Sequence, residues 1–280
     1  MTSQKIFGLI GYPVKHSLSP LMHNAAFSRL KIKAKYKLFP LEERQLKDFL
    51  SGLKIKGICG LNVTIPHKEK VLEYINSASE GVRAIGAANT LVIDKTGKAK
   101  AHNTDCLGFI RHIKELKVKP KKVAIIGAGG ASKAVIFALI KLKAQEISIY
   151  DIDKFRVLAL VNRVNQLFPE CRARAVARID ELALSDKDLL INASPVGMKD
   201  TDSLLIESSN LHKDLFVYDL IYNPGETKLL KAAKAAGCRY SNGLGMLLYQ
   251  GVEALELWLK PKKAPVEVMR TALLKGASKL

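Results

Sequence analysis

With 280 residues, 48% of them hydrophobic and 25% charged, the chain can form two domains that each bury a core, and its composition excludes an extended disordered protein. The net charge of +19 invites a nucleic-acid reading, but the lysines are scattered over polar faces and loops without aromatic interleaving, so no nucleic-acid partner is expected. A basic field of this kind also concentrates a small anionic substrate.

No apolar run approaches the roughly 18 residues that cross a bilayer, and the first residues show no charged-then-apolar leader pattern. Cys59, Cys106, Cys171 and Cys238 lie far apart, with no C-x-x-C pair. Together these features predict a cytoplasmic protein with reduced thiols, no membrane partner and no metal.

In chain order, short β-type runs alternate with helical ones. Strands are predicted at residues 6–10, 36–39, 57–63 and 90–93, with helices at 21–30 and 46–53, which argues for an open, mostly parallel α/β sheet. A helix at 105–116 follows, and Lys119-Pro-Lys-Lys resets the chain into a strand at 123–126. Beyond it come helix 133–142, strand 147–150, helix 154–168, strands at 173–176, 188–192 and 216–220, and helix 227–236 with Gly237 as its C-cap. Two helices, 246–258 and 266–275, close the chain. The resulting division is 1–104, 105–242 and 243–280.

The run Val123-Ala-Ile-Ile-Gly127-Ala-Gly129-Gly130-Ala131-Ser132, with Asp151 after the strand Ile147-Ser-Ile-Tyr150, has the order strand, glycine turn, helix, strand, acid. Glycines at such a turn let backbone N–H groups approach a pyrophosphate at a helix N-terminus, and an acid about 20 residues on suits a ribose 2′-hydroxyl. A bound dinucleotide is therefore predicted. The motif is G-x-G-G-A-S, with Lys133 in the place of a third glycine, so a plain tight βα turn is the competing explanation. Asp151 would repel a 2′-phosphate and is followed by Ile152, so NAD is expected ahead of NADP. Arg156 is the nearby cation and a candidate for the cofactor site, with a solvated helix position as the plain alternative.

Polar clusters in the first hundred residues stand where strands give way to helices: Ser17-Leu-Ser19-Pro, Asn62-Val-Thr64-Ile-Pro-His-Lys68, Ala87-Ala-Asn89-Thr and Asn103-Thr-Asp105. Each has a plain local explanation. Ser19 before Pro20 reads as a helix N-cap with proline at the first helical position, Asn103-Thr-Asp105 as the cap of the helix it opens, and Lys68 as surface charge. Jointly they supply hydroxyls, an amide, a cation and an acid, and in a parallel sheet such polar ends converge outside the carboxyl ends of the strands. His16, His23, His67 and His102 lie beside these residues without metal-ligand spacing, so packing or surface roles are expected for them.

These segments together closely resemble the shikimate dehydrogenase family, including its quinate/shikimate branch, over nearly the whole chain. The shared marks are Gly11-Tyr-Pro, Ser17-Leu-Ser19-Pro-x-x-His23-Asn24, Asn62-Val-Thr64-Ile-Pro-His-Lys68, Gly86-Ala-Ala-Asn89-Thr, Asn103-Thr-Asp105 and Gly127-Ala-Gly-Gly-Ala131. Ile191-Asn-Ala-Ser-Pro-Val-Gly-Met198, Asp219-Leu-Ile-Tyr222-Asn-Pro and Gly243-Leu-Gly-Met-Leu-x-x-Gln250 are similar to later family segments.

The resemblance implies an N-terminal α/β substrate domain, a Rossmann-like dinucleotide domain, and C-terminal helices that return to the first domain. It implies that Ser17 and Ser19 hold a substrate carboxylate, that Thr64, Lys68, Asn89, Asp105 and Gln250 bind its hydroxyls, and that Tyr222 closes over it. Gly127, Ala128, Gly129, Gly130 and Ala131 would meet the pyrophosphate, Asp151 the adenosine ribose, and Leu220 and Gly243 the nicotinamide. The implied activity is reversible reduction of 3-dehydroshikimate to shikimate, a step toward chorismate and the aromatic amino acids.

Lys68 is the expected proton carrier and Asp105 its partner. A free lysine is too basic for efficient work at neutral pH and a neighbouring carboxylate makes it more so, so either burial opposes that effect or the pair shares the proton. Biosynthetic members of the family that use NADP carry Asn and Arg where this chain has Asp151 and Ile152, which points to NAD; Ser19, in place of the threonine of some quinate enzymes, points to shikimate. The rivals are a quinate or dual-specificity dehydrogenase and a dinucleotide sensor without turnover. A homodimer is left open.

Overall fold

The computed structural model describes residues 4–279, which fold as two compact units. One runs to Gly108 and resumes at Leu247–Lys279; the other is Phe109–Met246.

In the first unit the elements are β1 (Lys5–Gly11), α1 (Ser19–Arg29), β2 (Ala34–Pro40), α2 (Leu46–Ser51), β3 (Ile58–Val63), α3 (His67–Lys70), β4 (Ser77–Ala78), α4 (Glu80–Ile85), β5 (Thr90–Ile93) and β6 (Ala99–His102). Their sheet has the order β2-β1-β3-β5-β6-β4. It is mixed rather than uniformly parallel, because β5 runs antiparallel to both β3 and β6. The local cause is a tight turn between β5 and β6. Asp94 Oδ1 accepts from the backbone N–H groups of Thr96 (2.8 Å) and Lys98 (3.0 Å), and Gly97 takes a φ of +89°. A connection that short can join only antiparallel strands.

One face of this sheet buries Ile10, Leu46, Leu50, Leu61, Val63, Val82 and Leu91 as an aliphatic core. A ring cluster lies elsewhere in the unit. Phe7 packs at a tilt against Phe27 and Trp258, with ring centroids 5.1 Å apart in each pair, and His23 lies flat on Tyr36 at 4.4 Å. Trp258 belongs to the penultimate helix and donates its indole N–H to Leu91 O at 2.9 Å. Gly60 makes that possible, since a Cβ there would stand 2.5 Å from the indole Cδ1.

Helix α5 (Asp105–Glu115) starts in the first unit and from Phe109 belongs to the second, where it is followed by β7 (Lys122–Ile126), α6 (Gly130–Lys141), β8 (Glu146–Tyr150), α7 (Lys154–Leu167), β9 (Arg172–Ala175), β10 (Leu189–Asn192), β11 (Phe216–Asp219), α8 (Lys228–Ala235) and β12 (Arg239–Ser241). Every strand pair is parallel, and the order is β12-β11-β10-β7-β8-β9. In chain order that is 3-2-1-4-5-6, with the switch point between β7 and β10, the arrangement of a dinucleotide-binding sheet. The central strands are apolar on both faces, as Val123 to Ile126 and Leu189 to Ile191 show.

The chain ends in α9 (Leu244–Leu259) and α10 (Val266–Ala277). From Leu247 onward they belong to the first unit, where α10 packs against α1 and Gly276 fits beside Leu18 and Leu21.

Two local expectations need correction. Ser19 is the first helical residue rather than the cap, because the buried Leu18 already has helical angles (φ −82°, ψ −7°) and stands in the cap position. Helix α6 begins at Gly130, three residues before the predicted 133, since Gly129 is the extended N-cap. The short elements α3, β4, α4, β6 and β12 had no periodic signal of their own. Among the described residues no helix is long and apolar enough to cross a membrane, and no group of three or more His, Cys, Asp and Glu could hold a metal ion. Cys59, Cys106, Cys171 and Cys238 form no disulfide.

Candidate active site

In the first unit β1 and β3 run parallel with Ile10 opposite Val63, so the loops that leave them start at the same level. Thr64 N–H bonds Ile10 O at 2.9 Å and Tyr12 N–H bonds Ile65 O at 2.9 Å. Gly11 permits this approach, since a Cβ there would stand 2.9 Å from Ile65 O. The loop carrying Ser17 and Ser19 is thereby held beside the one carrying Thr64 and Lys68. Ser17 Oγ accepts from Ser19 N–H at 3.3 Å; Ser17 and Thr64 are half-buried and Ser19 is buried.

Lys68 and Asp105, 37 residues apart in the chain, meet. Lys68 Nζ donates to Asp105 Oδ2 at 2.5 Å, with the lysine side chain 14% exposed and the aspartate side chain 7%. At that exposure the pair is shielded from bulk water, so attraction within it is stronger than in a surface ion pair. Lys68 stands in the single turn α3, and its carbonyl accepts from Ala88 N–H at 2.8 Å, which ties it to the Asn89 loop. Asp105 opens α5, where Asn103 Oδ1 caps the helix by accepting from Cys106 N–H at 3.2 Å.

Asn89 joins the pair to the C-terminal helix. Its Nδ2 donates to Asp105 Oδ1 at 2.8 Å and to Gln250 Oε1 at 3.3 Å, 161 residues away in sequence. Gln250 is itself oriented by donating from Nε2 to Leu247 O at 2.8 Å. Lys68, Asn89, Asp105 and Gln250 thus form one hydrogen-bonded constellation. The buried Asn62, Thr90 and Thr104 stand directly behind Asn89 and were not singled out from sequence as site residues. Their only signal there is membership of the quoted motifs.

The histidines take structural places. His23 is fully buried, and burial lowers its imidazole to about 3. His67 is buried with Nε2 on Leu41 O at 2.7 Å, and His16 is exposed.

In the second unit the glycine turn follows β7. Gly127 adopts a φ of +107°, and a Cβ on it would lie 2.8 Å from the Ala193 carbonyl. Gly129 has open space where a side chain would project, and Ser132 Oγ, in the first turn of α6, is buried without a protein hydrogen-bond partner. A bare helix N-terminus, an open approach over Gly129 and an unengaged hydroxyl fit a phosphate-bearing ligand. Ala128, Gly130 and Ala131 complete this turn. At the end of β8, Asp151 Oδ2 accepts from Ala128 N–H at 2.6 Å and Oδ1 from Asp153 N–H at 3.0 Å. Ile152 is 90% exposed, and Arg156 is exposed in the first turn of α7.

The loops after β10 and β11 are pinned to each other by Asp219. Its Oδ1 accepts from Asn192 Nδ2 and Ile221 N–H, both at 3.0 Å, and its Oδ2 accepts from Thr227 Oγ1 at 2.7 Å. Burial pushes this carboxyl up to about 6. Gly243 sits against the Leu220 carbonyl, where any Cβ would overlap it, and its N–H bonds Ile221 O at 3.1 Å. Tyr222 is half-buried on the same loop.

Residues 9–91 match the model of the shikimate dehydrogenase substrate binding domain, and residues 243–274 that of the shikimate 5′-dehydrogenase C-terminal domain. A protein of Caldanaerobacter subterraneus subsp. tengcongensis named shikimate dehydrogenase (NADP+) is 41% identical over 261 residues, covering 92% of each chain.

The chain belongs to the shikimate dehydrogenase family.

Solved members of that family share its fold. A shikimate dehydrogenase in complex with NADP+ is 38% identical, with a TM-score of 0.89 over 97% of this chain and 95% of its own. The Listeria monocytogenes shikimate 5-dehydrogenase, in complex with shikimate and NAD, is 34% identical, with a TM-score of 0.86 over 98% and 99%. Shikimate dehydrogenases of both kinds are therefore among its structural relatives.

Proposed function

We propose that the protein oxidises shikimate reversibly to 3-dehydroshikimate with a nicotinamide dinucleotide, and that it prefers NAD to NADP. The observation that carries the activity is the shielded Lys68–Asp105 contact at 2.5 Å, bonded on through Asn89 to Gln250.

The hydride step is the chemistry that a bound nicotinamide dinucleotide supplies. Gly127 to Ala131, Asp151, Arg156, Leu220 and Gly243 would hold it. Ser17 and Ser19 bind the substrate carboxylate through their hydroxyls. Thr64, Lys68, Asn89, Asp105 and Gln250 receive the ring hydroxyls, and Tyr222 closes over the ring.

In oxidation Lys68 Nζ, as the neutral amine, takes the proton from the reacting hydroxyl and becomes the ammonium, and in reduction it gives that proton back, as a positioned general base and acid. Asp105 holds the ammonium in place and takes part in orienting the hydroxyl. Asn89 and Gln250 discriminate by geometry. A ring hydroxyl that bonds these amides is favoured over an analogue lacking it, which offers nothing in place of the polar contacts it displaces.

The preference for NAD rests on Asp151. Its carboxylate is already anchored by Ala128 and Asp153 N–H groups, so it cannot swing away from a ribose placed there, and a 2′-phosphate would meet a fixed negative charge. The following residue is the apolar Ile152, which offers the phosphate no counter-charge. This departs from the NADP+ in the name of the Caldanaerobacter relative.

Initial rates with shikimate and with quinate, each against NAD and NADP, test all parts of the reading. Shikimate with NAD is expected to give the highest kcat/KM. A tenfold advantage for NADP would sink the cofactor assignment, a quinate advantage would make the protein a quinate dehydrogenase, and no turnover of either acid would leave a dinucleotide sensor.

A further inference from the structure

Behind Asp105 lies a chain of hydrogen bonds that runs in one direction. A carboxylate only accepts. Asn89 must therefore present its Nδ2 to Asp105 Oδ1, and its own Oδ1 must face the opposite way. There it meets only donors: Thr104 N–H at 2.7 Å, and the hydroxyls of Thr104 and Thr90, both at 3.1 Å.

The two hydroxyl oxygens are 2.9 Å apart, and Thr90 Oγ1 accepts from Asn62 Nδ2 at 3.1 Å. Both threonine protons consequently point toward Asn89 Oδ1, directly or through one another. Asn62, with its Nδ2 committed to Thr90 and to Asn89 O, turns its Oδ1 outward to accept from the Tyr36 hydroxyl at 2.8 Å. Every arrow runs from Tyr36 through Asn62, Thr90, Thr104 and Asn89 to Asp105.

All six residues are 5% exposed or less, so none can exchange a lost partner for bulk water. The sheet builds the arrangement. Asn62 and Thr90 lie directly opposite each other in the antiparallel β3–β5 pair, and the Tyr36 ring is held by the flat stack of His23.

We propose that Tyr36, Asn62, Thr90 and Thr104 are positioning residues of the dehydrogenase reaction: they lock the Asn89 amide in one orientation, and through it fix Asp105 as the acceptor against which Lys68 is aligned. The proposal rests on the dehydrogenase reading above. Its distinctive consequence is that removing a hydroxyl at the far end of the relay, at Tyr36, slows turnover.

The test is steady-state shikimate oxidation by the full-length protein and by Thr104→Val, Thr104→Ser and Tyr36→Phe, with a melting temperature for each. Small misplacements of reacting groups cost large factors in rate, so kcat is expected to fall about tenfold in Thr104→Val and severalfold in Tyr36→Phe. The KM for shikimate should stay within about threefold, and Thr104→Ser should recover kcat to within about twofold.

An active parent whose Thr104→Val and Tyr36→Phe variants both keep kcat within about twofold overturns the relay and leaves the dehydrogenase reading standing. So does a loss of kcat that tracks melting temperature and is not recovered by serine. A parent that does not oxidise shikimate at all overturns the dehydrogenase reading, and the relay's role with it.

Discussion

Gly108 on α5 lies against Gln250 on α9 so closely that a Cβ on the glycine would stand 2.6 Å from the Gln250 backbone nitrogen and 2.9 Å from its Cβ. This close approach brings Gln250 Oε1 within reach of Asn89.

Gly108→Ala should therefore perturb the site from outside it. Alanine improves helix propensity by about 1 kcal/mol, but the overlap is with backbone that cannot turn aside, and overpacking costs about 1–3 kcal/mol. The overlap wins, so a lower melting temperature is expected, with a raised KM for shikimate because Gln250 is displaced. A variant as stable and as tight-binding as the parent would show that the helices slide apart freely.

Lys68→Ala removes the proposed proton carrier and lies in the first unit. Positioned proton transfer contributes about 10²–10⁴-fold, so kcat should fall by that order while dinucleotide affinity, followed by fluorescence titration, stays at the parental value. Retained turnover would move the proton to another group.

Cofactor choice should follow charge at the end of β8. Asp151→Asn combined with Ile152→Arg replaces a fixed anion by a neutral acceptor and adds a guanidinium suited to phosphate. The ratio of kcat/KM for NADP over NAD is expected to rise by about tenfold or more. An unchanged ratio would place the discrimination elsewhere in the turn.

His23 makes an acid-sensitive core. Burial lowers its folded-state value to about 3 from the ordinary 6.5, so above pH 6.5 the imidazole is neutral in both states and its contribution to stability is complete. As pH falls below 6.5 the unfolded chain takes up a proton that the folded one refuses, and stability drops by up to about 1.4 kcal/mol per pH unit. His23→Phe, which keeps a ring on Tyr36, should have a shallower loss of melting temperature between pH 7 and 4. Parallel curves for the two proteins would rule His23 out as the source.

The second unit was legible in the sequence because its decisive chemistry is local. A glycine with φ of +107° at Gly127, a bare helix start at Gly130 and an acid at the next strand end are set by residues within one βαβ stretch. Strands β7, β8, β10 and β11 carry apolar runs long enough to announce themselves, whereas the three-residue β12 exists because β11 pairs with it. Ser19 was misplaced as a cap because the buried Leu18 pulls the start of α1 forward, a packing effect that no local propensity contains.

Motif resemblance named Lys68, Asn89, Asp105 and Gln250, and the residue types alone said that a cation, an acid and two amides were available. That Lys68 and Asp105 touch at 2.5 Å, and that Asn89 reaches Gln250 across 161 residues, was decided by folding. The relay from Tyr36 to Asp105 was invisible beforehand for a physical reason. Threonine and asparagine bond equally well to water, to their own backbone or to each other, and only the antiparallel register of β3 and β5, which sets Asn62 against Thr90 where water is excluded, commits each hydrogen bond to one partner and one direction.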